Sequence, residues 1–174
     1  MGACKRRASS DDLPTTTERI VAAPARPGAP EIVTIGYELR DGEEVMGLLN
    51  DRGVSYLADI RQRPFSRKLD FRGGALAAHC KRAGIEYVSW PMLGSTREQR
   101  DEKEATGDIG AFQARFEAYA REFMQQPVAE LAAIAGRRGK VALLCYERGH
   151  DECHRRVIAA MLAERTGGGI VALE

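Results

Sequence analysis

The sequence predicts an α/β fold: one domain with a mostly parallel sheet of about five strands and helices on both faces. Three observations point there. Short apolar runs alternate with segments of helical spacing from residue 31 to the end. One run, Val141 to Leu144, is continuously apolar, which suits a strand buried on both faces. Polar residues gather where these strands should end, and open parallel sheets bind ligands at that edge.

The elements follow in order. Residues 1–30 are dominated by Ala, Pro, Ser, Thr and Arg, with Pro24, Pro27, Gly28 and Pro30 before the domain. Such a segment buries too little surface to offset its ordering entropy, so it is predicted as a disordered tail. The domain is expected over 31–174. Glu31 to Ile35 reads as the first strand, ended by Gly36, with Tyr37 beyond it. Glu44, Val45, Leu48 and Leu49 give an amphipathic helix, closed by Gly53. Val54 to Ile60 is the second strand, and a basic loop follows with Arg61, Arg63, Arg67, Lys68 and Arg72. Pro64 and the Gly73-Gly74 pair should keep that loop irregular. Leu76 to Arg82 is a helix closed by Gly84, and Ile85 to Trp90 is a strand stopped by Pro91.

Leu93 to Asp108 reads as a long polar loop or irregular helix, of the kind that forms lids and binding loops. Phe112, Phe116, Tyr119, Ala120 and Phe123 mark one stripe of the next helix, expected to face the core. Pro127 opens another helix, predicted to close at Gly136. After the Val141 strand comes a short loop and a helix marked by Val157, Ile158, Met161 and Leu162. Ile170 to Leu173 is a last short strand.

The net charge of +1 gives no overall attraction to nucleic acid or membrane, so any basic feature must be local. No apolar run reaches membrane-spanning length, and the N-terminus has no apolar stretch like that of a secretory signal. Four cysteines without an export signal are expected as reduced thiols, hence a cytoplasmic protein.

The chemistry concentrates in Cys145-Tyr146-Glu147-Arg148-Gly149-His150-Asp151-Glu152-Cys153-His154-Arg155-Arg156. Asp151 is placed to cap the following helix, putting Cys153 and His154 in its first turn. A helix N-terminus favours a thiolate or a bound anion. The candidate catalytic residues are Cys145, Glu147, Cys153 and His154. The candidate substrate-binding residues are Tyr37, Asp59, Arg61, Arg63, Ser66 and Arg155. Each has a plainer alternative. Arg61 either meets an anionic ligand or pairs with Asp59 or Glu147, and Asp59 either serves the site or caps a loop. Cys145 alone reads as a small buried core residue. His150 and His79 read as surface residues, and Cys80 as helix packing. Cys145, His150, Cys153 and His154 contain enough soft ligands for zinc, but their spacing is not that of a zinc knuckle, and no metal set is assigned. A phosphatase-type loop fails too, since it needs an arginine six positions after the cysteine and position 151 is Asp.

Three motifs stand in order: Thr34-Ile35-Gly36-Tyr37, Asp59-Ile60-Arg61 with Pro64 and Ser66, and Cys145-Tyr146-Glu147 with Cys153-His154-Arg155. Together they resemble the bacterial and archaeal domain-of-unknown-function family 488. The resemblance spans about residues 31 to 173, and the last motif is its most specific part. The family usually carries His after Thr-Ile-Gly, whereas this chain has Tyr37. The resemblance implies a fold and a residue list but no reaction and no cofactor.

Three functions are compatible with these residues. The first is an enzyme acting on an anionic, phosphate-bearing substrate, a nucleotide or nucleic acid, held by Arg61, Arg63 and Arg155. Cys153 or Cys145 would be its nucleophile, with Glu147 or His154 handling protons. The second is a thiol redox or metal-sensing module using Cys145 and Cys153. The third is a noncatalytic domain that holds a nucleotide or peptide on the same rim; the partner expected is a small anionic ligand or nucleic acid.

Overall fold

A computed structural model describes residues 16–174. Its single sheet has six strands: β1 (Glu18–Ala22), β2 (Glu31–Gly36), β3 (Tyr56–Asp59), β4 (Glu86–Ser89), β5 (Lys140–Cys145) and β6 (Gly169–Leu173). Their order across the sheet is β1-β6-β2-β5-β3-β4. Every pairing is parallel except that of β1 with β6. Six α-helices connect them: α1 (Gly42–Asp51), α2 (Gly73–Arg82), α3 (Arg97–Thr106), α4 (Ile109–Phe123), α5 (Gln125–Arg138) and α6 (Arg155–Thr166). No helix among the described residues is long and apolar enough to cross a membrane.

The alternation of side chains along β5 explains the two layers. Val141 and Leu143 join Phe116, Val128, Leu131, Val157 and Ile158, so α4, α5 and α6 cover one face. Ala142 and Leu144 join Val45, Leu49, Leu76 and Cys80, so α1 and α2 cover the other. Cys80 is packing, as expected. Parallel strands buried on both faces are mostly apolar, and β5 is so from Val141 to Cys145.

Five local expectations differ from the structure. Residues 18–22, assigned to the disordered tail, form an antiparallel edge strand against β6. Arg19 also reaches the Glu174 carboxylate, so the contacts that order this segment come from the far end of the chain. Residues 1–15 of the predicted tail lie outside the described residues. The stretch 97–106 is a regular helix, started by a capping box between Thr96 and Gln99. Gly73 and Gly74 open α2 rather than prolong the loop, and Gly136 lies within α5. Phe123 is largely exposed although Phe112 and Phe116 are buried, so the α4 stripe ends a turn early.

Leu144 is fully buried on the central strand β5. Leu144→Ala should cost about 2 to 5 kcal/mol by urea denaturation, the range for a cavity left in a packed core. A change near zero would show that this strand does not organise the core.

Candidate active site

The sheet's register brings the functional residues level. Gly36 pairs with Cys145 and Asp59 with Leu144, so β2, β5 and β3 end side by side. The chain leaves β5 close against β2: Tyr37 N–H donates to Cys145 O and Glu38 N–H to Tyr146 O. Gly36 permits this, because a Cβ there would overlap the Glu147 carbonyl. Gly94 plays the same part beside Gln62, whose backbone a Cβ would meet.

A cleft of about 350 Å³ opens at this rim. Cys145, Glu147 and His154 line it, with Tyr37, Arg61 and Arg63 to one side. Sequence reasoning missed five wall residues: Gln62, Phe65, Ser95, Arg100 and Tyr146. Phe65 and Tyr146 are exposed aromatic rings, a signal visible in the sequence only once the loops are known to converge.

The reactive cluster sits at the cleft floor. Cys145 is 5% exposed and Cys153 0%, so the cleft reaches Cys145 while Cys153 lies behind it. Cys145, read from the sequence as a buried core residue, is thus the thiol that meets the cleft. Asp151 does not cap α6. Its carboxylate pairs with Arg19 at 2.8 Å, and residues 150–152 form a 3₁₀ turn. Cys153 is therefore extended, and α6 starts only at Arg155. His150, expected at the surface, is buried, with Nδ1 2.9 Å from Thr34 Oγ1. His79 is partly buried and lies 3.5 Å from the Asp70 carboxylate.

Within the cluster, His154 Nδ1 lies 3.6 Å from Cys145 Sγ and 3.6 Å from Cys153 Sγ. Its Nε2 faces Ile60 O at 3.1 Å, and a carbonyl can only accept, so Nε2 carries a proton and Nδ1 is the atom turned to the sulfurs. Phe116 packs edge-on against the imidazole. Cys145 Sγ lies 3.3 Å from one Glu147 oxygen, and Lys103 Nζ holds the other at 3.0 Å.

These contacts set the charges. Burial would raise the Glu147 carboxyl, but Lys103 and a backbone N–H outweigh it and bring it down to about 2. Burial would likewise raise the Cys153 thiol. A hydrogen bond from Cys145 and the nearby His154 and Arg155 charges bring it down to about 5. Cys145, sharing that hydrogen bond and buried beside Glu147, is pushed well up. Burial opposes protonation of His154, but the Cys153 charge raises it overall.

The arginines divide into two kinds. Arg61 is bound to Asp59 through Nε at 2.7 Å and Nη2 at 2.6 Å, and also donates to Tyr37 Oη and Phe71 O. Its salt bridge with Asp59 is thus realised, although its edge still lines the cleft. Arg155, expected on the rim, is fully buried and donates to the carbonyls of Glu147 and Arg148. Arg63 is exposed at the mouth. Ser66 is buried outside the cleft lining, where its Oγ accepts from Lys68 N–H. Tyr37 stacks on Phe71 with ring centres 4.2 Å apart.

Fold and site together define a parallel α/β domain with a thiol, imidazole and carboxylate cluster at its carboxyl rim. The chain belongs to the family described as domain of unknown function DUF488, whose model matches residues 41–162. The second and third sequence motifs fall inside that span; the first, at Thr34 to Tyr37, precedes it. No curated protein and no solved structure matches the chain.

The two kinds of arginine should separate in stability measurements. Arg155→Gln removes a fully buried guanidinium that serves two loop carbonyls and should cost roughly 2 to 4 kcal/mol in chemical denaturation. Arg63→Gln, at an exposed position, should stay within about 0.5 kcal/mol of the parent. Equal effects would contradict the division.

Proposed function

We propose that the protein is an enzyme that binds an anionic, phosphate-bearing substrate in this cleft and carries out hydrolysis or group transfer at its floor. One observation carries the reading: a single cavity joins positive charge at its mouth to a buried, charge-tuned cluster at its base. Arg63 and Arg100 supply the charge, and Phe65 and Tyr146 offer flat apolar walls of the kind on which a nucleobase stacks. Arg61 has most of its donors engaged and serves chiefly to shape the wall. Glu147 handles the proton, kept ionised by Lys103 and placed beside Cys145. A site meant only to hold a ligand has no need of a carboxylate, an imidazole and two thiols turned toward one another below it.

The test is turnover of a panel of nucleoside mono- and diphosphates, read by mass spectrometry of the products. Glu147→Gln should lower kcat about 100-fold or more with KM little changed, the usual loss for a general acid–base group. Arg63→Gln should chiefly raise KM. Binding without turnover across the panel would favour the noncatalytic reading, and a fully active Glu147→Gln protein would remove the assigned proton carrier.

A further inference from the structure

We propose that Cys145 Sγ, Cys153 Sγ and His154 Nδ1 form a zinc site with its fourth position open to the cleft. The three atoms all lie within 4.8 Å of one another. Both sulfur-to-nitrogen separations are 3.6 Å. Zinc bonds of about 2.3 Å to sulfur and 2.0 to 2.1 Å to nitrogen, at a tetrahedral angle, put S and N roughly 3.6 Å apart. With Nε2–H given to the Ile60 carbonyl, the neutral imidazole keeps one in-plane lone pair on Nδ1 for a metal. One cation between the three atoms engages all of them.

The imidazole is held as a metal ligand is held. Its Nε2–H donates to the Ile60 carbonyl, which fixes the ring and leaves Nδ1 as the donor to metal. Cys145 ends β5, and Cys153 and His154 immediately precede α6, so the ligands stand at the ends of regular elements. Cys153 is extended rather than helical, which lets two neighbouring residues aim at one point. Two thiolates and an imidazole are the donor set that suits zinc, and burial makes their negative charge depend on a cation.

Three protein ligands with one free position is the pattern of catalytic rather than structural zinc. Cys145 and His154 line the cleft and Cys153 does not, so the free position faces the cleft. Glu147 stands beside this group without belonging to it, where it can exchange a proton with a water held there. Such a water ionises near pH 7. The thiols then act as ligands rather than nucleophiles. This use in turnover rests on the enzyme reading above; the metal site itself does not.

The experiment uses the full chain, stripped with chelator under reductant and titrated with cobalt(II). One equivalent should give the thiolate-to-cobalt charge-transfer band and the intense visible bands of tetrahedral cobalt, and zinc should bleach both. Cys153→Ser and His154→Gln should each weaken binding more than about 100-fold, beyond the loss from removing an outer-shell partner. Glu147→Gln and Cys80→Ser should keep one metal per chain. Since ligand variants can fail to fold, the parent protein supplies a second readout: zinc should protect Cys145 from iodoacetamide. Absence of the charge-transfer band, an unchanged band in folded Cys153→Ser, or no protection of Cys145 would each overturn the site. Stoichiometric metal without turnover would defeat only the enzyme reading; turnover by rigorously metal-free protein would defeat the catalytic use of the zinc.

Discussion

The site depends on the way Arg155 is buried. It opens α6 and has no exposed surface, yet its guanidinium donates to two carbonyls of the loop that leaves β5. A buried guanidinium costs several kcal/mol of desolvation unless its donors are met. The loop is therefore confined to a path that presents those carbonyls. Gly36 leaves room for that path beside β2. With the loop fixed, Cys145 and Glu147 point to one side while Cys153 and His154 enter from the other. The same cation lies close enough to both sulfurs to favour their ionised forms. One residue thus sets both the geometry and the charge of the floor.

The sheet was legible because its signals are local. Apolar runs of strand length and helical stripes between them fix the α/β class, and the parallel rule then places Tyr37, Asp59, Arg61 and Cys145 on one rim. The convergence of Cys145, Glu147, Cys153 and His154 followed from that rule without a contact map. What escaped depended on partners distant in sequence. β1 is short, preceded and followed by unpromising residues, and ordered by pairing with the last strand of the chain. Asp151 resembles a helix cap in its local sequence, but Arg19, 132 residues away, engages it first. Arg155 reads as a surface cation until the loop carbonyls fold over it. In each case a long-range ionic or hydrogen-bonding partner overrode a local preference.

Tyr37 illustrates how an arginine loses its freedom to bind ligands. Its ring stacks on Phe71 and meets Tyr146 edge-on, and its hydroxyl accepts from Arg61. Arg61 is in turn locked to Asp59, which also accepts from Tyr87. The assembly is an ion pair with its polar atoms largely met, which is the condition for burying charge. Residues recognised from sequence as substrate-binding candidates have here become the frame of the cleft. The charge left to meet a ligand belongs to Arg63, on the loop after β3, and Arg100, on α3.

The same accounting isolates the reactive point. Glu147 has Lys103, Arg61 has Asp59, and His154 Nε2 has the Ile60 carbonyl. At the floor His154 Nδ1 faces two sulfurs, each at 3.6 Å. A cation with soft-ligand preference, as proposed above, would engage all three atoms and leave one coordination position toward the cleft. The polar framework that confines the loop is therefore also what brings the two thiols and the imidazole together.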